Sequence, residues 1–210
     1  MRMLHARHLS LAAAVLAAVN FYPAAQTGAA PEARVVEAAV GGPADAQGVR
    51  AARLMAQALA SIRAERERRG LPIDPAVDPN RTGIIGDEFS PLTTSLGEAD
   101  AKRTSASPAF AALLVTFFRD AGLAAGDVVA VGASGSFPGF ALATLCAAQV
   151  LGLEPVVIYS VGASMYGANL PGFTFADMLT RLRDEGLLPY RIAAVSPGGR
   201  PVERRRQNVR

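Results

Sequence analysis

Three kinds of pattern follow one another along this chain. Leu9–Phe21 is an apolar run broken only by Ser10 and Asn20, and no charged residue falls between His8 and Glu32. Residues 31–46 are rich in Ala, Gly and Pro and read as a linker. Helical spacing begins at Gln47. Met55, Leu59 and Ile62 fall at i, i+4 and i+7, one apolar stripe of a helix over 47–69. The mixed-sign run Arg63–Arg69 reads as its solvated last turns, and Gly70 as its stop, because glycine tolerates the left-handed cap position. Residues 71–107 lose the periodicity. Turn formers dominate there (Asp78-Pro79-Asn80, Gly83, Gly86, Ser90-Pro91, Gly97), yet Ile84, Ile85, Phe89 and Leu92 recur among them. A long structureless stretch inside a compact domain is uncommon unless it is functional. The segment is therefore expected to be an ordered loop that packs near a site.

A regular alternation follows. Ser107-Pro108 opens a helix, with Ser as N-cap and Pro at the first position, and Gly122 stops it. Val128–Val131 reads as a strand, Pro138–Leu151 as a helix apolar nearly all round, and Val156–Tyr159 as a second strand. Thr174–Glu185 reads as a helix and Arg191–Val195 as a third strand. Apolar strands alternating with helices predict a parallel sheet covered on both faces. The expected fold class is α/β, a small parallel sheet of Rossmann-like β-α-β units over residues 47–199. Residues 200–210 lose all apolar periodicity and read as a disordered basic tail.

The stretch Asp127–Asn169 organises the rest. Its two strands each lead into the tripeptide Gly-Ala-Ser, at Gly132–Ser134 and Gly162–Ser164. The crossover between them has the dozen residues a parallel pair needs. Both loops then emerge at the carboxyl edge of one sheet, where open α/β sheets bind ligands.

Composition narrows the chemistry. The only histidines are His5 and His8, ahead of the apolar segment, so the body has no Ser-His-Asp triad and no His-ligated metal. Cys146 is the only cysteine, which excludes an internal disulfide and a CxxC zinc site and leaves it as a small buried apolar residue. The net charge of +3 misleads: Leu71–Val195 carries seven basic and twelve acidic residues, a net of −5, while five arginines crowd residues 200–210. A nucleic-acid reader carries its basic patch on the folded domain, so nucleic acid is not an expected partner. Arg2 and Arg7 ahead of the apolar run, and small residues over 24–30, mark residues 1–30 as a cleaved signal peptide or an uncleaved anchor. Either places the body outside the cytoplasm.

The first loop, Gly132-Ala133-Ser134-Gly135-Ser136-Phe137-Pro138-Gly139, matches neither G-x-G-x-x-G nor the P-loop, and Ser136 breaks G-x-S-x-G. Small residues ahead of a helix N-terminus still suit a carboxylate or phosphate, with Gly132 and Gly135 letting the backbone approach. A tight turn capped by Ser134 or Ser136 fits equally well. The second loop offers Ser164, Tyr166 and Asn169 as uncharged polar groups, or else as local turn formers. Lys102 is the only lysine beside twenty arginines. Lysine loses its proton when desolvated and arginine does not, and a Ser–Lys pair activates a hydroxyl without histidine. Lys102 with Ser134, Ser136 or Ser164 is the catalytic candidate, and Arg103 a candidate carboxylate ligand. Asp87 and Glu88 lack any metal-loop spacing, and neither metal nor cofactor is expected.

Several stretches together resemble the poly-gamma-glutamate system protein family. They are Asp78–Gly86, Phe89–Gly97, Ala101–Ser105, Gly132–Pro138, Ser164–Asn169 and Leu187–Arg191, within about residues 47–199. The resemblance implies a membrane segment ahead of the domain and a place among the proteins that make and export this polymer. It carries over no catalytic residue. Members of that family continue as an α/β domain beyond Ser196–Gly199, so the resemblance also implies C-terminal truncation. Three readings follow. The first is a membrane-tethered accessory protein whose Gly-Ala-Ser loops bind a carboxylate-bearing ligand such as glutamyl units. The second is a Ser/Lys amidohydrolase of gamma-glutamyl amide bonds. The third is a non-catalytic partner of the membrane synthase that docks through the helix at 47–69.

Overall fold

The structure is a computed structural model that describes residues 46–199. The expected signal or anchor segment, almost all of the linker and the basic tail lie outside the described residues. Helix α1 spans Ala46–Arg68 and buries Ala51, Met55, Ala58, Leu59 and Ile62, so the predicted stripe is used inside the core. A docking surface on α1 would be left with its polar face. The last turns differ from the sequence reading, since Glu65 and Arg66 are buried rather than solvated. Glu65 is held by Arg68 and Arg69, and Arg66 is covered by the following segment, which folds back over it. Arg66 donates to the carbonyls of Gly83 (3.1 Å), Ile85 and Pro72 (2.6 Å). Gly83 (φ +75°) lies so close to α1 that a Cβ there would meet the Arg63 Cα at 2.7 Å.

Residues 71–107 are ordered and contain two elements the turn-rich sequence concealed, β1 (Thr93–Ser95) and α2 (Ala99–Ser105). Short elements have too few positions to show a period. Helix α3 spans Ala109–Asp120, and its cap position is Pro108, not Ser107 as the sequence suggested, with no side-chain cap bond. Then come β2 (Val128–Ser134), α4 (Pro138–Leu151) and β3 (Glu154–Ser160). Next are the two-residue strands β4 (Ala163–Ser164), β5 (Asn169–Leu170) and β6 (Phe173–Thr174). Helix α5 (Phe175–Asp184) opens on a capping box between Thr174 and Asp177, and β7 (Ile192–Ser196) is the last element among the described residues.

The protein is mixed α/β with small parallel sheets. Strands β2, β3 and β7 form one, in that order, with Val128 opposite Glu154 through to Ser134 opposite Ser160. Strands β1 and β4 form a second parallel pair, and β5 and β6 a short antiparallel one. Helix α4 lies at the centre, with Leu142, Leu145 and Cys146 fully buried among α1, α3 and the sheet.

The expectation of a sheet covered on both faces is not met among the described residues. Val131, Val157 and Tyr159 are buried, whereas Val128, Val156 and Ile158 on the opposite face are exposed. Strand order explains this. The sheet grows in one direction, and right-handed crossovers in one direction put their helices on one face. The second face gains a helix only where strand order reverses. No helix among the described residues is long and apolar enough to cross a membrane.

A buried lysine–serine pair as candidate functional site

The site is built by the β1–β4 pair. Ser95 stands opposite Ser164, Ala163 donates its N–H to the Leu92 carbonyl, and Met165 donates to the Ser95 carbonyl, both at 3.0 Å. The chain leaves β1 through Gly97 into α2, which carries Lys102 back over β4. Glycine suits that turn, because a Cβ on Gly97 would stand 3.0 Å from the Ser164 hydroxyl and 3.0 Å from the Met165 carbonyl, tighter than most side chains pack. Lys102 Nζ then donates to Ser164 Oγ at 2.7 Å. The same nitrogen lies 3.5 Å from the centroid of the Phe137 ring. Lys102 is 3% exposed and Ser164 5%. No carboxylate forms an ion pair with Lys102 among the described residues. Burial disfavours the ammonium and lowers the lysine pKa to about 8.

The two Gly-Ala-Ser loops meet here, chiefly by bonding to each other and to the sheet edge. Ser164 N–H donates to Ser136 Oγ (3.0 Å) and Ser136 N–H to Ser134 Oγ (3.3 Å). Gly135 N–H donates to the Ser160 carbonyl (2.9 Å), and its own carbonyl accepts from Ala168 (2.7 Å). A Cβ on Gly135 would meet the Val161 carbonyl at 2.7 Å, so glycine permits this contact. The N-terminus of α4 packs against the end of α2 at Ser105 and Ala106, which narrows the room for an anion there.

The remaining candidates are placed differently. Gly132 is exposed and has open space around it, on the uncovered face of β2. Asn169 is fully buried and holds the loop: its Oδ1 accepts from Asp87 N–H, and its Nδ2 donates to the Asp87 carbonyl and to Thr93 Oγ1. Arg103 donates to the carbonyls of Val77 (2.8 Å) and Ala76 (2.6 Å) and pairs with Asp100. Tyr166 adopts a left-handed backbone (φ +61°) and lines a cleft of about 620 Å³ with Arg66, Asp74, Asp87 and Glu88. Among the described residues no group of three His, Cys, Asp or Glu side chains could hold a metal ion.

The structure thus brings Lys102, Ser164, Ser136 and Ser134 into one neighbourhood, with Tyr166 beside it, and leaves Gly132 apart. Two contributors escaped the sequence reading. Phe137 lay inside the noted loop, but nothing in the sequence tied its ring to a lysine 35 positions earlier. Gly97 read as a turn former, although a glycine two residues after the end of a strand can also mark a close approach of backbone.

Fold and site together define a mixed α/β protein with a buried Lys–Ser pair at the edge of a two-stranded parallel ladder. No family model, curated protein or solved structure matches the chain.

Proposed function

We propose that this chain is a membrane-tethered accessory protein of poly-gamma-glutamate production that acts as a Ser/Lys amidohydrolase on gamma-glutamyl amide bonds. The observation that supports the chemistry is the 2.7 Å contact between Lys102 Nζ and Ser164 Oγ, with both side chains buried. The polymer and the membrane setting rest on the sequence resemblance.

A lysine with a pKa of about 8 is neutral in about one molecule in ten at pH 7. In that form its nitrogen accepts the Ser164 proton while Oγ attacks the amide carbonyl carbon. The carbon–nitrogen bond breaks, the Lys102 ammonium returns the proton to the leaving amine, and an ester remains on Ser164. Water, deprotonated by Lys102, then attacks that ester, releasing the carboxylic acid and restoring the hydroxyl. Ser136 accepts a bond from the Ser164 N–H and keeps its own hydroxyl proton to donate to the developing oxyanion.

The test uses the full chain with poly-gamma-glutamate and with a gamma-glutamyl anilide, measuring amine release. Ser164→Ala and Lys102→Met should each lower turnover by at least about a hundredfold. Turnover that persists unchanged in either variant would sink the hydrolase.

One observation favours a second reading, a binder of carboxylates without chemistry. Near neutral pH most Lys102 is an ammonium whose contacts among the described residues are a hydroxyl and a ring, with no ion pair. A carboxylate-bearing ligand would supply the missing counter-charge. Glutamate binding that raises the Lys102 pKa, seen by NMR with no amide cleavage, would select this reading.

A further inference from the structure

The Lys102–Ser164 pair is shut in, with Lys102 3% exposed and Ser164 5%. Any ligand needs a way to it, and Phe137 is the side chain set against the lysine. Its ring centroid lies 3.5 Å from Lys102 Nζ, and the residue is itself 38% exposed. Phe137 thus meets the buried ammonium and solvent at once. The face of an aromatic ring attracts a cation, which favours this position of the ring.

The backbone on either side of Phe137 is held. Gly135 donates to the Ser160 carbonyl at 2.9 Å, and its own carbonyl accepts from Ala168 at 2.7 Å. A Cβ on Gly139 would meet the Ser105 carbonyl at 2.5 Å, so the start of α4 is pressed onto the end of α2. Pro138, in the first turn of α4, restricts the backbone of the residue before it. The Phe137 side chain is held less firmly. Phe140 stands beside it with ring centroids 5.6 Å apart, and is itself 39% exposed. Phe140 in turn sits edge-on to the buried Phe110, with centroids 4.9 Å apart. Side chains that reach solvent change rotamer freely, whereas a clamped backbone does not follow them.

We infer that the Phe137 ring is a gate on Lys102. In the observed position it separates the lysine from solvent. Rotation about its own side-chain bonds, with the loop and α4 still, uncovers Nζ. The gate concerns access alone, so it serves a hydrolase and a carboxylate binder alike.

Lys102 is the only lysine of the chain, so acetylation of a lysine side chain reports on this site. The full chain is pulsed with trace acetic anhydride beside free phenylalanine as internal standard, from about pH 6 to 10. Mass spectrometry of the Lys102 peptide follows the product. The pH profile yields the limiting reactivity of the neutral amine, which measures access apart from protonation. Phe137→Ala should raise that limit about tenfold or more, and Phe137→Tyr, which keeps the ring, should stay within about twofold of the parent. Phe137→Leu keeps apolar bulk without the flat face. It should raise the limit about threefold and decides the matter if Phe137→Ala fails to fold. An unchanged limit in the folded Ala or Leu variant overturns the gate, as does a rise in Phe137→Tyr equal to that in Phe137→Ala. Amide cleavage is assayed separately. If Lys102 is uncovered as expected but the parent chain cleaves no amide, the gate stands and the hydrolase reading falls.

Discussion

Lys102 is held where its charge is least welcome. Among the described residues its ammonium has a hydroxyl and an aromatic ring within reach and no ion-paired acid, and burial lowers its pKa from 10.5 to about 8. A base works only when neutral, so kcat/KM should rise as pH increases through about 8 and then level off. A rate profile that is flat from pH 6 to 10 would contradict Lys102 as the base. The same shift acts on stability. Between pH 8 and 10.5 the unfolded chain binds the proton more readily, so stability should rise across that window. Gly97→Ala places a methyl 3.0 Å from Ser164 Oγ. It should cost about 1–3 kcal/mol and displace the hydroxyl, so that activity falls further than denaturation midpoints alone would explain. Asn169 has the opposite character: its amide is fully engaged with Asp87 and Thr93. Asn169→Ala leaves those groups unpaired and should cost about 2–4 kcal/mol in urea denaturation.

At the scale of elements, the C-terminal end of α1 anchors the loop that carries β1 and the approach to the site. Glu65 accepts from Arg68 and Arg69 at 2.6–2.7 Å, and these bonds lower its pKa from 4.5 to about 2. A carboxylate whose pKa is depressed on folding contributes stability that is present above pH 4.5 and lost as pH falls toward 2. Glu65→Gln should therefore destabilise the protein at pH 7 and flatten the acid limb of its stability curve between those values. An unchanged acid limb in that variant would show that other carboxylates govern it. Arg66 joins α1 to three carbonyls of the folded-back loop. The loop is thus held from both sides, by Arg66 beneath and by Asn169 above. That double hold explains how a turn-rich segment presents β1 and α2 at fixed positions.

For the whole molecule, the sheet is the deciding feature. Its order β2-β3-β7 never reverses, so α4 and α5 share one face and Val128, Val156 and Ile158 face solvent on the other. A ligand crevice at the carboxyl edge of an open sheet needs a reversal of strand order, and the sheet formed by the described residues has none. The Lys–Ser pair accordingly lies on the smaller β1–β4 ladder. An exposed apolar sheet face promotes association. Ile158→Thr should lower light scattering at high concentration while shifting Tm little, since the side chain already meets water. A large loss of Tm would mean that this side chain is packed in solution.

Local signals were enough for the longer elements, though not for β1, α2 and the two-residue strands. Pro138 and Gly152 bracket α4, Thr174 and Gly186 bracket α5, and the apolar runs mark β2 and β3, because caps and stops act within a few residues of where they are written. Lys102 stood out in the sequence as the lone lysine, but its partner did not: three serines were equal candidates. Only the pairing of Ser95 with Ser164 selected one, and a parallel pairing across 69 positions leaves no local mark in either segment. The burial of Glu65 and Arg66 and the bare face of the sheet were hidden for the same reason. Each depends on which distant segment comes to lie against the residue, which helical or strand periodicity does not encode.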